Sequence, residues 1–226
     1  GLKDAVSGIT ESVLRNPDAC MWLRLVKDRD SYTYYHLLDT SALAIAFGRH
    51  LGFSKVELAD IGLGAMLIDI GKLKLPAELV RKATPLTEVE QQVVRKHVDY
   101  SVDLLHEVPD ISKRVFEIVQ AHHECFNGSG YPRAIAGREI PAFARMVAIT
   151  DFFDAITSDR PYAIAISPHD AMRRLTMNAA SPFSANWLNS SFNASVSIPR
   201  ARWSNSIPAK SASWWARTGC GVCCHA

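Results

Sequence analysis

The sequence predicts an all-α protein, and two observations support this interpretation. Apolar residues recur at three- and four-residue intervals over long stretches, and no alternating apolar and polar pattern competes with them. Several of these stretches also begin with residue types that cap helices. Helices are therefore predicted over residues 36–52, 54–72, 87–108, 111–124, 142–157 and 167–179.

Local signals justify the ends of these helices. Gly52 stops the first of them, because glycine readily follows the last helical residue. In the last helix Ser167 is the predicted cap and Pro168 takes the first helical position. Two further helices open with a Ser or Thr and a Glu three residues later, the pattern of a capping box. These pairs are Ser54 with Glu57 and Thr87 with Glu90.

Composition excludes several functional classes. The chain has 226 residues, is 48% apolar and carries a formal net charge of +2, which is typical of a soluble globular protein without a bias toward nucleic acid polymers. No apolar window is long enough to cross a bilayer, so we expect no membrane insertion. Five cysteines without a spaced framework favour a reducing, cytoplasmic setting over a disulfide scaffold.

Acidic residues inside apolar helices, together with paired histidines, indicate a buried metal site. Asp69 lies in "GAMLIDIGK" and Asp151 in "MVAITDFFDAI", where a buried carboxylate needs a partner. His122 and His123 are adjacent. A single helical histidine is more often a surface or capping residue, and we place three others in that class. These are His50, His106 and His169.

Imidazole and carboxylate together suit iron, manganese, zinc or nickel. Paired metals of this kind clamp the attacking and leaving oxygens in phosphate-ester hydrolysis. Lys72, three residues after Asp69, would neutralise charge on a phosphate. There is no P-loop, and the glycines of "GLGA" at 62–65 lie mid-helix, where they favour close packing over dinucleotide binding.

Three motifs, in this order and spacing, resemble the HD-GYP domain, a branch of the HD metal-dependent phosphohydrolases. They are "DIGKLKLP" at 69–76, "HH" with "GSGYP" at 122–132, and "RMVAITDFFDAITSDRPY" at 145–162. The resemblance runs from about residue 30 to about residue 186. It implies a helical bundle that binds two or three metals, commonly iron or manganese, and that opens cyclic di-GMP to pGpG and often onward to GMP.

The resemblance also implies roles for individual residues. Asp69 and Lys72 fall on catalytic positions, Arg160 falls on a phosphate-binding position, and the Gly130-Tyr131-Pro132 loop would lie beside the substrate with an aromatic face or hydroxyl. The implied metal ligands are His36, Asp69, His97, His122, His123 and Asp151.

The chain departs from the family pattern at Ile68, where the motif that names the superfamily has a histidine. One metal site keeps all of its implied ligands, whereas the second would be weakened. A third ion is not expected, because Tyr32 replaces the glutamate that accompanies it, and Ala163 replaces a basic residue that often contacts phosphate. The intact site would use Asp69, His97, His122 and His123, and the weakened one His36, Asp69 and Asp151.

These departures leave several functions open. The first is a cyclic di-GMP phosphodiesterase impaired by Ile68. The second is a catalytically inactive domain that binds cyclic di-GMP or a partner protein in signalling. The third is an HD-type nucleotide hydrolase with another substrate, against which the GYP loop argues.

The predicted organisation has three parts. Residues 1–30 are a lead-in helix from an upstream sensory or receiver domain, residues 31–186 are the HD-GYP domain, and residues 187–226 are an irregular tail. No Asp or Glu follows Asp170, and the tail has no helical period, so it reads either as a linker or as a segment out of frame. With codons chosen for "SVSIP", a shift of two bases gives Gly-Ile-Tyr-Pro. The same shift on "WSNSIPAKSASWWA" can give Val-Glu-Leu-Asp-Ser-Gly-Glu-Ile-Gly-Ile-Val-Val-Gly, which resembles the family segment after the core, and the coding DNA tests this hypothesis.

Overall fold

A computed structural model describes residues 17–158 and 164–177. Over these ranges the fold consists of helices and turns without a strand, which confirms the all-α class. Short 3-10 helices cover Ile70–Lys74 and Gly137–Glu139. The α-helices are α1 (Pro17–Arg29), α2 (Ser31–His50), α3 (Lys55–Leu67), α4 (Ala77–Val80), α5 (Glu88–Arg95), α6 (His97–His106), α7 (Lys113–Ala121), α8 (Ala142–Thr157) and α9 (Pro168–Met177).

Both predicted capping boxes are present. Ser54 Oγ accepts from the backbone N–H of Glu57 at 3.3 Å, and the Glu57 carboxylate accepts from the Ser54 N–H at 2.9 Å. Thr87 and Glu90 make the same reciprocal pair at the start of α5. The predicted cap of α9 is also confirmed, because the hydroxyl of Ser167 accepts from a backbone N–H in the first turn.

Some predicted helix bounds are wrong in ways that matter for the site. Residues 87–108 form two helices that are separated at Lys96. There the backbone forms a tighter turn, in which the N–H of Lys96 donates to the carbonyl of Val93, three residues earlier. Lys96 keeps right-handed helical dihedrals, so the apolar periodicity continues through the break without a Gly or Pro signal. The predicted 54–72 helix ends at Leu67, and α7 ends at Ala121 rather than 124.

The periodicity predicted that His36 opens its helix, and this prediction is wrong. Instead α2 begins at Ser31, because the side chain of Asp30 accepts from the N–H groups of Tyr32 and Thr33 at 3.1 and 3.3 Å. His36 consequently lies one and a half turns inside α2, with a buried side chain. Its position faces α8, which packs along α2.

The helices enclose one main apolar core. α3 packs against α2 and α7, and α8 packs against α2 and α7, while α1 packs against α2 and the 3-10 helix Ile70–Lys74. The mid-helix glycines of α3 serve close packing, as predicted. A Cβ on Gly62 would lie 2.6 Å from Ile45 Cδ1, and one on Gly64 would lie 2.7 Å from Ile118 Cδ1.

α1 is tied to the segment that follows α3. The guanidinium of Arg29 donates to the carbonyls of Leu73 and Leu75, and the carbonyl of Arg29 accepts from the side chain of Arg81. Trp22 of α1 is buried in the main core. None of the helices within the described residues combines the length and apolar character that a bilayer crossing requires.

Gly71 brings the 3-10 helix Ile70–Lys74 directly against α6. Its N–H donates to Ser101 Oγ at 2.8 Å, and the same hydroxyl donates to the carbonyl of Ile68 at 3.0 Å. A Cβ on Gly71 would clash with the carbonyl oxygen of His97 and would lie 2.5 Å from the backbone nitrogen of Ser101. The absence of a side chain at Gly71 therefore sets the distance between the two segments.

A Gly71→Ala substitution should destabilise the protein strongly, because the added Cβ meets backbone atoms of α6 that cannot rotate away. We expect the free energy of unfolding, measured by urea denaturation, to fall by about 3 kcal/mol. Gly62→Ala is the matched control, because the atoms nearest its Cβ would be side-chain atoms of Ile45 and Ser41 rather than backbone atoms, and alanine favours a helix by about 1 kcal/mol over glycine. Equal losses in the two variants would contradict the role given to Gly71.

Candidate metal centre

Asp69 lies between α3 and the 3-10 helix Ile70–Lys74, with its carboxylate buried. Its Oδ2 accepts from Lys72 Nζ at 2.8 Å, and its Oδ1 lies 3.3 Å from His97 Nε2. Asp69 and Lys72, which the sequence predicted to act together, are therefore in contact. They are joined by a 3-10 turn and do not share one face of an α-helix.

His97 and His122 are oriented by the helical turn that precedes each of them. Both donate from Nδ1 to a backbone carbonyl at 2.7 Å, that of Val94 for His97 and that of Val119 for His122. A proton on Nδ1 leaves the lone pair on Nε2, which is the tautomer that binds a metal. Within the described part of the chain, the buried His122 Nε2 has no hydrogen-bond partner.

Four buried side chains bring one ligand atom each to the same place. The ligand atoms lie within 4.8 Å of one another, and His123 Nε2 lies 3.2 Å from His97 Nε2. Metal bonds of about 2.0–2.2 Å hold ligand atoms at most about 4 Å apart, so a small contraction would place all of them on one ion. Three imidazoles and a carboxylate suit a borderline divalent metal, and the unpartnered His122 nitrogen fits such an ion. The group consists of Asp69, His97, His122 and His123.

Burial sets the charge states within this group. Burial, which outweighs the attraction of Asp69, lowers the pKa of His97 to about 4. Burial also lowers the pKa of His122. Burial alone would raise the pKa of Asp69, but the charge of Lys72 and the nearby imidazoles hold it well below its usual value. Near pH 7 His97 and His122 are therefore neutral imidazoles and Asp69 is an ionised carboxylate, the forms that bind metals.

His36 and Asp151, also implied as ligands, lie outside the group of four and pair with each other. His36 Nε2 lies 2.7 Å from Asp151 Oδ1, and His36 Nδ1 lies 2.7 Å from Asp154 Oδ2. Burial favours a low pKa for His36, but the two carboxylates outweigh it and raise the pKa to about 9. A doubly protonated imidazole has no lone pair, so in this arrangement His36 donates to carboxylates instead of binding a metal.

Asp154 was not among the residues predicted from the sequence. It lies one turn after Asp151 in the same apolar helix and is buried. The three-residue spacing of the two acids in "DFFDAI" was the signal that could have identified it, because residues three apart share a helix face.

The GYP loop packs onto His123. A Cβ on Gly130 would clash with the backbone nitrogen of Cys125 and would lie 2.5 Å from the carbonyl oxygen of His123. The N–H of Tyr131 donates to that same carbonyl at 3.2 Å, and its ring stacks on the His123 ring with centroids 4.6 Å apart. Tyr131 is only 7% exposed, so its ring faces His123 more than it would face a substrate. The peptide bond between Tyr131 and Pro132 is cis.

Glu124 is a second residue that the sequence reasoning missed. It is buried, and its carboxylate accepts from the backbone N–H groups of Arg133 at 2.7 Å and Ile135 at 3.1 Å. These contacts hold the far end of the GYP loop beside the histidine pair. Its place directly after His123 was a usable signal, because a carboxylate next to a buried ligand needs partners of its own.

Ile68 is fully buried in the main core and contributes its carbonyl to Ser101 rather than a side-chain ligand. Tyr32, at the position associated with a third ion, stacks its ring parallel to His36 with centroids 5.9 Å apart. Several predictions fall outside the described residues. These are Arg160, Ala163, residues 1–16 and the tail 187–226.

Comparisons with known proteins agree with the all-α fold. A model of the HD domain family matches residues 20–186. A cyclic di-GMP phosphodiesterase of Pseudomonas aeruginosa is 38% identical over 172 residues, which are 76% of this chain and 42% of that protein. A 3'3'-cGAMP-specific phosphodiesterase of Vibrio cholerae is 30% identical over 155 residues, which are 69% of this chain and 34% of that protein.

The fold is also similar to a solved structure. An HDG"Y"P protein from Bdellovibrio bacteriovorus superposes with a TM-score of 0.57 at 19% identity, covering 70% of this chain and 51% of that one. The chain spans less than half of the length of the two phosphodiesterases it was aligned with. Because the family model covers most of the sequence, the chain belongs to the HD domain family, as the resemblance predicted.

Proposed function

We propose that this chain is the hydrolase domain of a phosphodiesterase that opens cyclic di-GMP to pGpG and onward to GMP. The observation that carries the proposal is the buried group of three imidazoles and one carboxylate, with Lys72 in contact with the carboxylate. The name of the Pseudomonas aeruginosa relative supports the substrate. We place the reaction in the cytoplasm, under the control of a sensory or receiver domain in the longer protein.

Asp69, His97, His122 and His123 would hold one divalent ion, with iron or manganese favoured by the family resemblance. Such an ion, when bound, polarises a phosphate oxygen and makes water a strong nucleophile near neutral pH. The second ion site, which would use His36, Asp69 and Asp151, is the weaker one in this proposal. The engagement of both His36 nitrogens by carboxylates supports this order of affinity.

The side chains around the ion would each have a distinct task. Asp69 faces His97 with one oxygen and Lys72 with the other, so it fixes the ammonium beside the metal ligands. Lys72 is 16% exposed at its side chain, which leaves it within reach of a phosphate that enters the site. An ammonium has three N–H donors, so Lys72 can bond a phosphate oxygen while it remains on Asp69.

Substrate binding is assigned to the GYP loop and to Arg160. In this proposal Gly130 and Pro132 shape the loop beside the phosphate, and Arg160 contributes a bidentate guanidinium. Tyr131 has a second task, because it stacks on His123 and holds that ring in place.

A second candidate function is a domain that binds cyclic di-GMP without turnover. The observation that favours it is Ile68, a fully buried hydrocarbon at the position where the family motif has a ligand. Product analysis separates the two functions. Protein purified with manganese or iron is incubated with cyclic di-GMP, or with 3'3'-cGAMP, and the nucleotides are separated by chromatography.

We expect pGpG to appear first and its formation to stop after chelation of the metal. Binding without product would favour the second candidate. Neither binding nor product with either dinucleotide would contradict the proposal.

An Ile68→His substitution should raise both metal content and the rate of hydrolysis, because it restores a ligand for the second ion. Without metal the buried imidazole should cost roughly 1–3 kcal/mol of stability. Elemental analysis and the rate of pGpG formation measure the two effects, with Ile68→Val as a control that keeps the position apolar. A variant that binds two ions yet hydrolyses no faster would show that the missing ligand does not limit the rate.

Tyr131→Ala should lower metal content, because the His123 ring loses the aromatic surface that holds it. Tyr131→Phe keeps that surface and should retain the metal. Elemental analysis of both variants after dialysis measures the difference. Metal loss in the phenylalanine variant as well would assign the effect to the hydroxyl rather than to ring packing.

A further inference from the structure

Arg95 ends α5, two residues before His97. The guanidinium carbon lies 4.9 Å from the centroid of the Tyr131 ring. Arg95 Nε is buried without a hydrogen-bond partner in the described residues, although the side chain as a whole is only partly buried. An unsatisfied buried donor costs free energy, which an acceptor from another molecule would recover.

Another arginine provides the contrast. Arg114 also lies over an aromatic ring, with its guanidinium carbon 5.8 Å from the centroid of Phe143. Its charge, however, is paired with Asp60 at 3.2 Å. Arg95 has no such carboxylate among the residues that the structure describes, so its charge is available to an anion.

The position of Arg95 relates it to the metal group. Tyr131 contacts both Arg95 and the His123 ring, so the guanidinium lies one aromatic ring away from a proposed metal ligand. A guanidinium that already rests on an aromatic ring loses less conformational freedom when an anion binds.

We propose that Arg95 binds the second phosphate of the cyclic dinucleotide, the one that is not cleaved. This inference rests on the proposed function. A cyclic dinucleotide carries two phosphates in one small ring, so a group that acts on one of them places the other nearby. A guanidinium holds a phosphate through two parallel hydrogen bonds, and Arg95 has the unpaired charge and the donors to do so.

The test measures, by calorimetry on metal-loaded protein, the dissociation constant for a phosphorothioate analogue of cyclic di-GMP that resists hydrolysis, because the proposed enzyme would consume cyclic di-GMP itself during the titration. Arg95→Gln should raise this constant by about 10- to 100-fold, as expected for the loss of hydrogen bonds to a charged group. The dissociation constant of Arg95→Lys should lie between those of Arg95→Gln and the wild type, because lysine keeps the charge but not the bidentate geometry. Arg114→Gln is the matched control and should leave the constant within about twofold, because a surface ion pair contributes little.

Metal content and steady-state kinetics separate substrate binding from a packing role. If Arg95 binds substrate, the KM should rise while kcat and the metal bound per chain stay close to wild type. An unchanged dissociation constant in Arg95→Gln, or a loss of metal that accounts for the weaker binding, would overturn the inference alone. A wild-type protein without affinity for cyclic di-GMP would overturn the proposed function and this inference together.

Discussion

The contact between Gly71 and α6 is the constraint on which the site depends. Because Gly71 has no side chain, the segment after α3 lies against the backbone of His97 and Ser101. The chain must leave the α-helix at Leu67 to reach this position, and Asp69 lies in the link between the two helices. That link brings the Asp69 carboxylate to the His97 imidazole, and the tertiary contact therefore assembles half of the metal group.

Burial then divides the ionisable side chains into two arrangements. In the group of four, burial keeps His97 and His122 neutral, and backbone carbonyls select the tautomer that leaves the Nε2 lone pair for a metal. Around His36, two carboxylates outweigh burial and keep the imidazole protonated. The same side-chain type is thus prepared for metal binding in one place and for ion pairing in the other, and the difference lies in the number of carboxylates in contact.

The sequence was sufficient for the fold class and for both capping boxes, because each of these leaves a local pattern. Of the six ligands that the family resemblance implies, the structure brings four within 4.8 Å of one another. It was insufficient where tertiary contact decides the outcome. The break at Lys96 keeps helical dihedrals and leaves no Gly or Pro, and the pairing of His36 with Asp154 joins residues far apart in the chain. Arg95 gave no signal at all, because only the folded loop places Tyr131 beside it.

The position of the bound metal can be measured directly by anomalous diffraction from crystals of manganese-loaded protein. We predict the strongest anomalous peak between Asp69, His97, His122 and His123, with Nε2 of His122 as one of its ligands. A strongest peak on His36 and Asp151, or an ion that His122 does not contact, would contradict the assignment of the metal centre.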